Sequence, residues 1–250
     1  MHKFFVPKES ICNNRVTIQG EDVKHILKVL RLKQGAVISI NNCMGQEYIG
    51  EIISTDKKEV LVNIKEEVSL NNESPIEVYL FQGLPKSSKM DLIVQKATEL
   101  GIKEITPVIT ERVEVKSEIR EYKRLDRWQR IALEACKQCK RSLIPTINSP
   151  VELKKLIELL KNMDLIVVPY ENQEEYGIKK VIQGLHTEVK KVGIVIGPEG
   201  GFEKVEIDKL KELGAHIVTL GPRILRTETA GFVCASLIMY EIGDLGGRIR

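Results

Sequence analysis

Val192-Gly193-Ile194-Val195-Ile196 runs directly into Gly197-Pro198-Glu199-Gly200-Gly201-Phe202. An apolar run without polar alternation suits a strand covered on both faces, as in a parallel sheet. The glycines then allow positive φ and close approach of a ligand to the backbone, while Pro198 removes a donor and stiffens the turn. Leu165-Ile166-Val167-Val168 repeats the apolar pattern. Strands are expected over residues 77–82, 104–109, 164–169, 191–196 and 216–220. They alternate with helices expected over 89–100, 121–141, 151–161, 174–185, 204–213 and 228–242. This rhythm predicts an α/β sandwich.

In such a sheet, ligands bind beyond the carboxyl ends of the strands. Two loops leave that edge. The first, from Gly197, lacks both G-x-G-x-x-G and G-K-[ST], which disfavours a dinucleotide or a Walker phosphate site. A Gly-rich loop with an acid and no lysine suits a ligand other than a polyphosphate, and an adenosine held by backbone groups fits. A plain strand-to-helix turn is the competing reading, because Glu203 opens the next helix. The second loop is Leu220-Gly221-Pro222-Arg223-Ile224-Leu225-Arg226-Thr227-Glu228-Thr229-Ala230. Ile224 and Leu225 are apolar within a loop, where burial is worth about 1.5–3 kcal/mol each, so they suit a slot for a flat ring. Arg223 and Arg226 flank that slot. Thr227 or Thr229 can cap the following helix, and Glu228 suits the positive end of its dipole. Capping is the structural reading of the threonines.

Residues 1–70 read as a smaller β-rich module, with short β-rich runs near 36–40, 47–53 and 59–64. One helix, expected over 21–32, buries Val23, Ile26, Leu27 and Leu30 and turns Lys24, Lys28 and Arg31 outward. Short strands with a basic helix suit a small RNA-binding barrel; an ordinary barrel with a solvated helix is the alternative. A polar segment closed by a proline, residues 71–75, reads as a linker, and residues 76–250 form the second domain. The expected helix over 121–141 carries an apolar stripe of Leu125, Trp128, Ala132, Ala135 and Cys139. Lys123, Arg127, Arg130, Lys137 and Arg141 fall within about 80° on the opposite side, with Glu134 among them.

The chain has 250 residues and a net charge of +3. Its composition, 42% apolar and 29% charged, excludes a disordered tail, a collagen-like fibre and a disulfide-stapled miniprotein. Residues 1–34 and 111–141 are each net +4, leaving −5 for the rest. Two basic regions on a near-neutral body suggest a polyanionic partner; two solvated charged faces are the alternative. No apolar run approaches the roughly 20 residues of a membrane span. The start shows no apolar leader segment, and a cytoplasmic protein is expected. Five scattered cysteines argue against a disulfide framework. Cys136 and Cys139 form a C-x-x-C without a second ligand pair, so no metal is expected and reduced core thiols are.

The two edge loops closely resemble the signature loops of the RsmE-type ribosomal RNA small-subunit methyltransferases, members of the SPOUT superfamily. His25-Ile26-Leu27-Lys28-Val29-Leu30-Arg31, Lys96-Ala97-Thr98-Glu99-Leu100-Gly101 and Glu134-Ala135-Cys136-Lys137-Gln138-Cys139-Lys140-Arg141 resemble further blocks of that family in the same order. Lys137 and Lys140 depart from the commoner acidic and small residues there.

The resemblance implies a SPOUT-type methyltransferase domain with a C-terminal trefoil knot and a PUA-like N-terminal barrel. It further implies S-adenosylmethionine as cofactor, a homodimer, and methylation of N3 of a uridine in 16S ribosomal RNA or the small ribosomal subunit. The cofactor residues it points to are Pro169, Tyr170, Glu171, Ile196, Gly197, Pro198, Glu199, Gly200, Gly201, Leu220, Gly221, Ile224, Leu225, Arg226 and Thr229. Arg226 and Glu228 are the catalytic candidates. Lys24, Lys28, Arg31, Lys86, Lys89, Arg127, Arg130, Arg141 and Arg223 are the RNA-binding candidates. The resemblance makes residues 232–240 knot helix and dimer surface; a core helix is the plainer reading, and the two are compatible. A non-catalytic RNA-binding assembly factor is the alternative, and the intact edge loops disfavour it.

Overall fold

The computed structural model describes residues 1–68, 72–86, 89–113 and 121–247, and only the backbone of 121–123. The chain divides into two compact units, Met1–Glu73 with Cys136–Ile144 and Ser74–Ala135 with Pro145–Arg250.

The first unit contains β1 (Lys3–Phe5), β2 (Ile11–Cys12), β3 (Arg15–Gln19), α1 (Glu21–Lys24), β4 (Val37–Asn41), β5 (Glu47–Thr55) and β6 (Glu59–Val68). They form one sheet in the order β1-β4-β5-β6-β3-β2. Alternate residues of β3, β4 and β6 point inward: Val16 and Ile18, Ile38 and Ile40, Val60 and Val62 meet Val23 and Ile26 in one core. Among the described residues the pairing is an open path, so hydrogen bonds do not close the expected barrel. The expected helix over 21–32 is interrupted: α1 passes into a π turn at His25–Val29, and Arg31 adopts positive φ (53°). The end of the long basic helix belongs to this unit, through Asn41 Nδ2 donating to the Ser142 carbonyl at 3.1 Å.

The second unit contains, in chain order, β7 (Glu77–Gly83), α2 (Lys89–Glu99), β8 (Glu104–Ile109), α3 (Glu121–Cys139, whose last residues from Cys136 belong to the first unit), β9 (Thr146–Ile147), β10 (Val151–Glu152), α4 (Leu153–Leu160), β11 (Leu165–Pro169), α5 (Ile178–Gln183), β12 (Lys191–Ile196), α6 (Lys204–Glu212), β13 (His216–Val218) and α7 (Thr227–Glu241). The sheet runs β10-β8-β7-β12-β11-β13, with β9 also on β8, and every pairing is parallel. The fold is therefore α/β with a parallel sheet. One face packs Phe81, Ile166, Val168 and Val195 against Leu156 and Leu160 of α4 and Ile207 and Leu210 of α6. α7 contacts β7 and β12 and lies beside α2 and α5, with Cys234, Ala235, Ile238 and Met239 buried.

Three expected helices are shorter than their periodicity suggested. α3 stops at Cys139 because Lys140 has φ +62°. The segment expected to begin a helix at 151 first pairs as β10 with Val108 and Ile109. Residues 174–176 are irregular and Gly177 is extended and bridged to Thr219, whose N–H donates to the Tyr176 carbonyl at 2.9 Å, so α5 starts only after Gly177. No helix among the described residues is long and apolar enough to cross a membrane.

Candidate active site

β7, β11, β12 and β13 end at one edge of the parallel sheet, and their loops meet there. Gln82, fully buried in β7, donates from Nε2 to the Gly83 carbonyl (3.1 Å) and to Thr227 Oγ1 (2.8 Å). The Thr227 hydroxyl in turn donates to the Gly197 carbonyl at 2.5 Å. This corrects the expectation that Thr227 or Thr229 caps the last helix. Arg226 occupies the N-cap position without a side-chain cap bond, because Thr227 is committed to joining the end of β7, the loop after β12 and α7.

The glycine loop is packed against β7. A Cβ on Gly83 would lie 2.4 Å from the Pro198 nitrogen and 2.7 Å from the Gly197 carbonyl carbon. Only glycine permits that approach. Gly201 adopts φ +70°, and a Cβ there would meet Glu171 Oε1 at 2.8 Å, so the loops after β11 and β12 touch. Gly201 N–H closes a turn onto the Pro198 carbonyl at 2.9 Å. Arg112, in the loop after β8, donates to the Gly200 carbonyl and to Glu203 Oε1, each at 2.7 Å.

The Glu199 carboxylate turns back toward α2. It accepts from the Lys86 backbone N–H at 3.1 and 3.3 Å and pairs with Lys89 Nζ at 3.0 Å. Burial pushes its pKa up, but Lys89 and the backbone N–H groups of Glu199 and Lys86 outweigh that and hold it below the ordinary value. Lys89 also lies 3.4 Å from Glu228 Oε2. Glu199 thus shapes the loop, and the backbone of 197–201 is what the loop offers a ligand.

The loop after β13 is built differently. A Thr219 hydroxyl accepts from Gly221 N–H at 3.1 Å. Gly221 has φ +118° with no atom near its Cβ direction. Leu225 is half-buried, whereas Ile224 is 86% exposed, and Arg223 and Arg226 are exposed. Ile224 therefore lines no closed slot within this chain. Tyr170 is half-buried, its N–H donating to the Val218 carbonyl at 2.9 Å. Ile196 is buried and offers only backbone.

Residues 72–239 match the family model described as RNA methyltransferase domain, and 18–65 match RNA methyltransferase PUA domain. The Bacillus subtilis ribosomal RNA small subunit methyltransferase E is 35% identical over 92% of both chains. The chain belongs to this methyltransferase family. The Aquifex aeolicus relative of the same name is 34% identical over 96% of this chain and 99% of its own. The crystal structure of a ribosomal RNA small subunit methyltransferase E from Neisseria gonorrhoeae, bound to S-adenosyl methionine, superposes with a TM-score of 0.84 at 30% identity, covering 98% of this chain and 99% of that one.

The cations expected to meet RNA in this methyltransferase divide into groups. Lys24, Lys28, Arg31, Arg130 and Arg223 are exposed. Lys86 is exposed and lends its backbone to Glu199. Arg127 is exposed and paired with Asp91. The Lys123 side chain lies outside the described residues. Arg141 is a correction: it is 5% exposed, and its guanidinium pairs with Glu73 at 2.7 Å. The helix ends before it, and the left-handed Lys140 turns the chain inward. Lys89 is likewise drawn into the site by two carboxylates. Burial pushes the Cys136 thiol up to about 12, as suits a core thiol hydrogen-bonded to the Leu143 carbonyl.

Sequence reasoning passed over Gln82, Gly83 and Arg112. Two of them carried a signal: a polar residue inside an otherwise apolar buried strand, followed by glycine at its carboxyl end. Arg112 carried none, because its partners are 88 and 91 residues away.

Proposed function

We propose that the chain is an S-adenosylmethionine-dependent methyltransferase acting on N3 of a uridine in 16S ribosomal RNA, and so working in the cytoplasm. The observation that carries this reading is the joining of the glycine loop to β7 and α7 through Gly83, Gln82 and Thr227. It holds an accessible backbone cradle beside Glu228, Arg226 and the uncovered Ile224. The small-subunit methyltransferase relatives and the S-adenosyl methionine-bound Neisseria structure support it. The residues present fit an adenosine-bearing cofactor. Glycines let the 197–201 loop pack closely on β7, Arg112 and Glu171, which fixes its backbone, open space adjoins Gly221, and Leu225 is half-buried. Backbone groups of 197–201, with Tyr170, Leu220 and Leu225, would hold it.

When bound, that cofactor supplies an electrophilic methyl group on a sulfonium. The chain's own contribution is alignment, which is worth on the order of 7–11 kcal/mol when reacting groups are well oriented. Arg226, exposed at the N-cap of α7, can face the uracil oxygens as negative charge develops on the ring. Glu228 is the nearby carboxylate able to take the N3 proton. The base must leave its stack to reach them, so a loop or single-stranded segment is the expected target. The exposed Lys24, Lys28 and Arg31 supply phosphate contacts.

The trefoil knot and the homodimer belong to the same proposal. After β13, at one end of the sheet, the chain returns to its middle strands at Thr227, which supports threading. Ile224 and Tyr240 stay exposed at 86% and 65%, which supports a second copy. Calorimetry with S-adenosylmethionine tests the reading. Stoichiometric binding is expected, whereas no binding would favour the non-catalytic RNA-binding assembly factor.

A further inference from the structure

Lys89 stands at the start of α2. A cation in the first turn opposes the helix dipole, so local rules give no reason for it there. Its partners do. Nζ lies 3.0 Å from Glu199 Oε1, in the loop after β12, and 3.4 Å from Glu228 Oε2, in the first turn of α7. One ammonium therefore joins three elements at the proposed reaction centre. The Glu228 side chain is 12% exposed, and its Oε2 is buried without a hydrogen-bond partner among the described residues. The Lys89 ammonium faces that oxygen as an ion pair. A buried, under-satisfied carboxylate calls for a reason beyond complementing a dipole. Oε2 is the Glu228 oxygen that faces Lys89, 3.4 Å away.

We propose that Lys89 is a positioning residue for methyl transfer, holding the Glu228 carboxylate oriented so that its Oε1 accepts the uridine N3 proton. This rests on the functional reading above and deepens it. In the step, the N3–H bond breaks and an Oε1–H bond forms. The freed N3 electron pair bonds the methyl carbon, and the carbon–sulfur bond breaks with its pair left on sulfur. The charged groups facing Glu228 are Lys89 from α2 and, beyond it, Glu199 from the glycine loop; Arg226 precedes it on its own segment. Lys89 keeps Glu199 as its partner once Glu228 is protonated.

The test compares Lys89→Gln, Lys89→Arg and Glu228→Gln in three readouts. These are the single-turnover rate against pH, RNA affinity against salt, and the 13C titration of the Glu199 carboxyl without cofactor. Lys89→Gln is expected to slow the single turnover about tenfold or more, within the range of acid–base contributions. It should also move the acid limb of the pH–rate profile to higher pH, because a carboxylate without its cation protonates more readily. Lys89→Arg should restore the limb, and Glu228→Gln should abolish it. The Glu199 titration should move up in Lys89→Gln, while RNA affinity and its salt slope stay unchanged. A salt slope reduced by about one with the limb in place would make Lys89 a phosphate contact and overturn the proposal. Equal rate losses in Lys89→Gln and Lys89→Arg with an unmoved limb would reduce it to a structural tie. An unmoved Glu199 titration would remove the ion pair itself. A wild-type protein that transfers no methyl group overturns the functional reading along with this one; an active protein with an unmoved limb overturns this one alone.

Discussion

The loop after β12 is tied from all sides: Thr227 holds Gly197, Lys86 and Lys89 hold Glu199, Arg112 holds Gly200, and Gly83 lets Pro198 press onto β7. The loop after β13, at the same sheet edge, has a Thr219–Gly221 turn and then leaves Ile224 in solvent. The difference separates two tasks. The first loop is ordered by the fold, so its backbone is in place before any ligand arrives, and that pre-organisation lowers the cost of binding. The second loop leaves Ile224 uncovered, and under the proposed function a ligand or a second copy covers it.

The sharpest way to break this contrast is Gly83→Ala. A methyl group 2.4 Å from the Pro198 nitrogen must displace the glycine loop. We expect a loss of about 1–3 kcal/mol in stability, as for overpacked sites, and at least tenfold in S-adenosylmethionine affinity by calorimetry. Unchanged affinity would mean that the loop is not pre-formed.

Thr227→Val comes next. It leaves the Gly197 carbonyl and the buried Gln82 amide without their shared hydroxyl, at a cost of about 1–3 kcal/mol per stranded group. Urea denaturation should show the loss, with cofactor affinity falling in step. A stability loss without an affinity loss would detach α7 from the cradle.

The pH response of the first loop is smaller. Glu199 has a depressed folded-state pKa, so its contacts with Lys89 and the Lys86 amide are present above the ordinary carboxylate value of 4.5 and are lost as pH falls below it. Cofactor affinity should stay level from about pH 8 to 5 and decline only in the acid range. A decline beginning near neutral pH would place the controlling group elsewhere.

Ile224→Ala should change stability least, by under about 0.5 kcal/mol, because an exposed side chain gives up little on removal. Its effect should appear in cofactor affinity or self-association, each weakened several-fold. A clear drop in melting temperature would show that the second loop is already packed in the free chain.

The parallel sheet was legible because its strands are apolar throughout, and the two edge loops because glycine, proline and arginine interrupt that pattern. The residues that join the loops were not. Gln82 and Thr227 are 145 positions apart, and local periodicity carries no signal of such a contact. Arg141 illustrates the opposite failure. Helical spacing placed it among surface cations, but one left-handed residue, Lys140, ended the helix and sent it to Glu73. β1 and β2 escaped notice because strands of three and two residues are too short to show alternation. Lys89 was read as an RNA contact because charge alone does not reveal which carboxylates the fold brings to it.

Under the proposed function this sheet edge transfers a methyl group to N3 of a small-subunit uridine. Small subunits from cells lacking the protein, incubated with it and methyl-labelled S-adenosylmethionine, then digested to nucleosides and analysed by mass spectrometry, test it directly. Label is expected in 3-methyluridine and is lost with Glu228→Gln. Label confined to any other nucleoside, or no label at all, would contradict it.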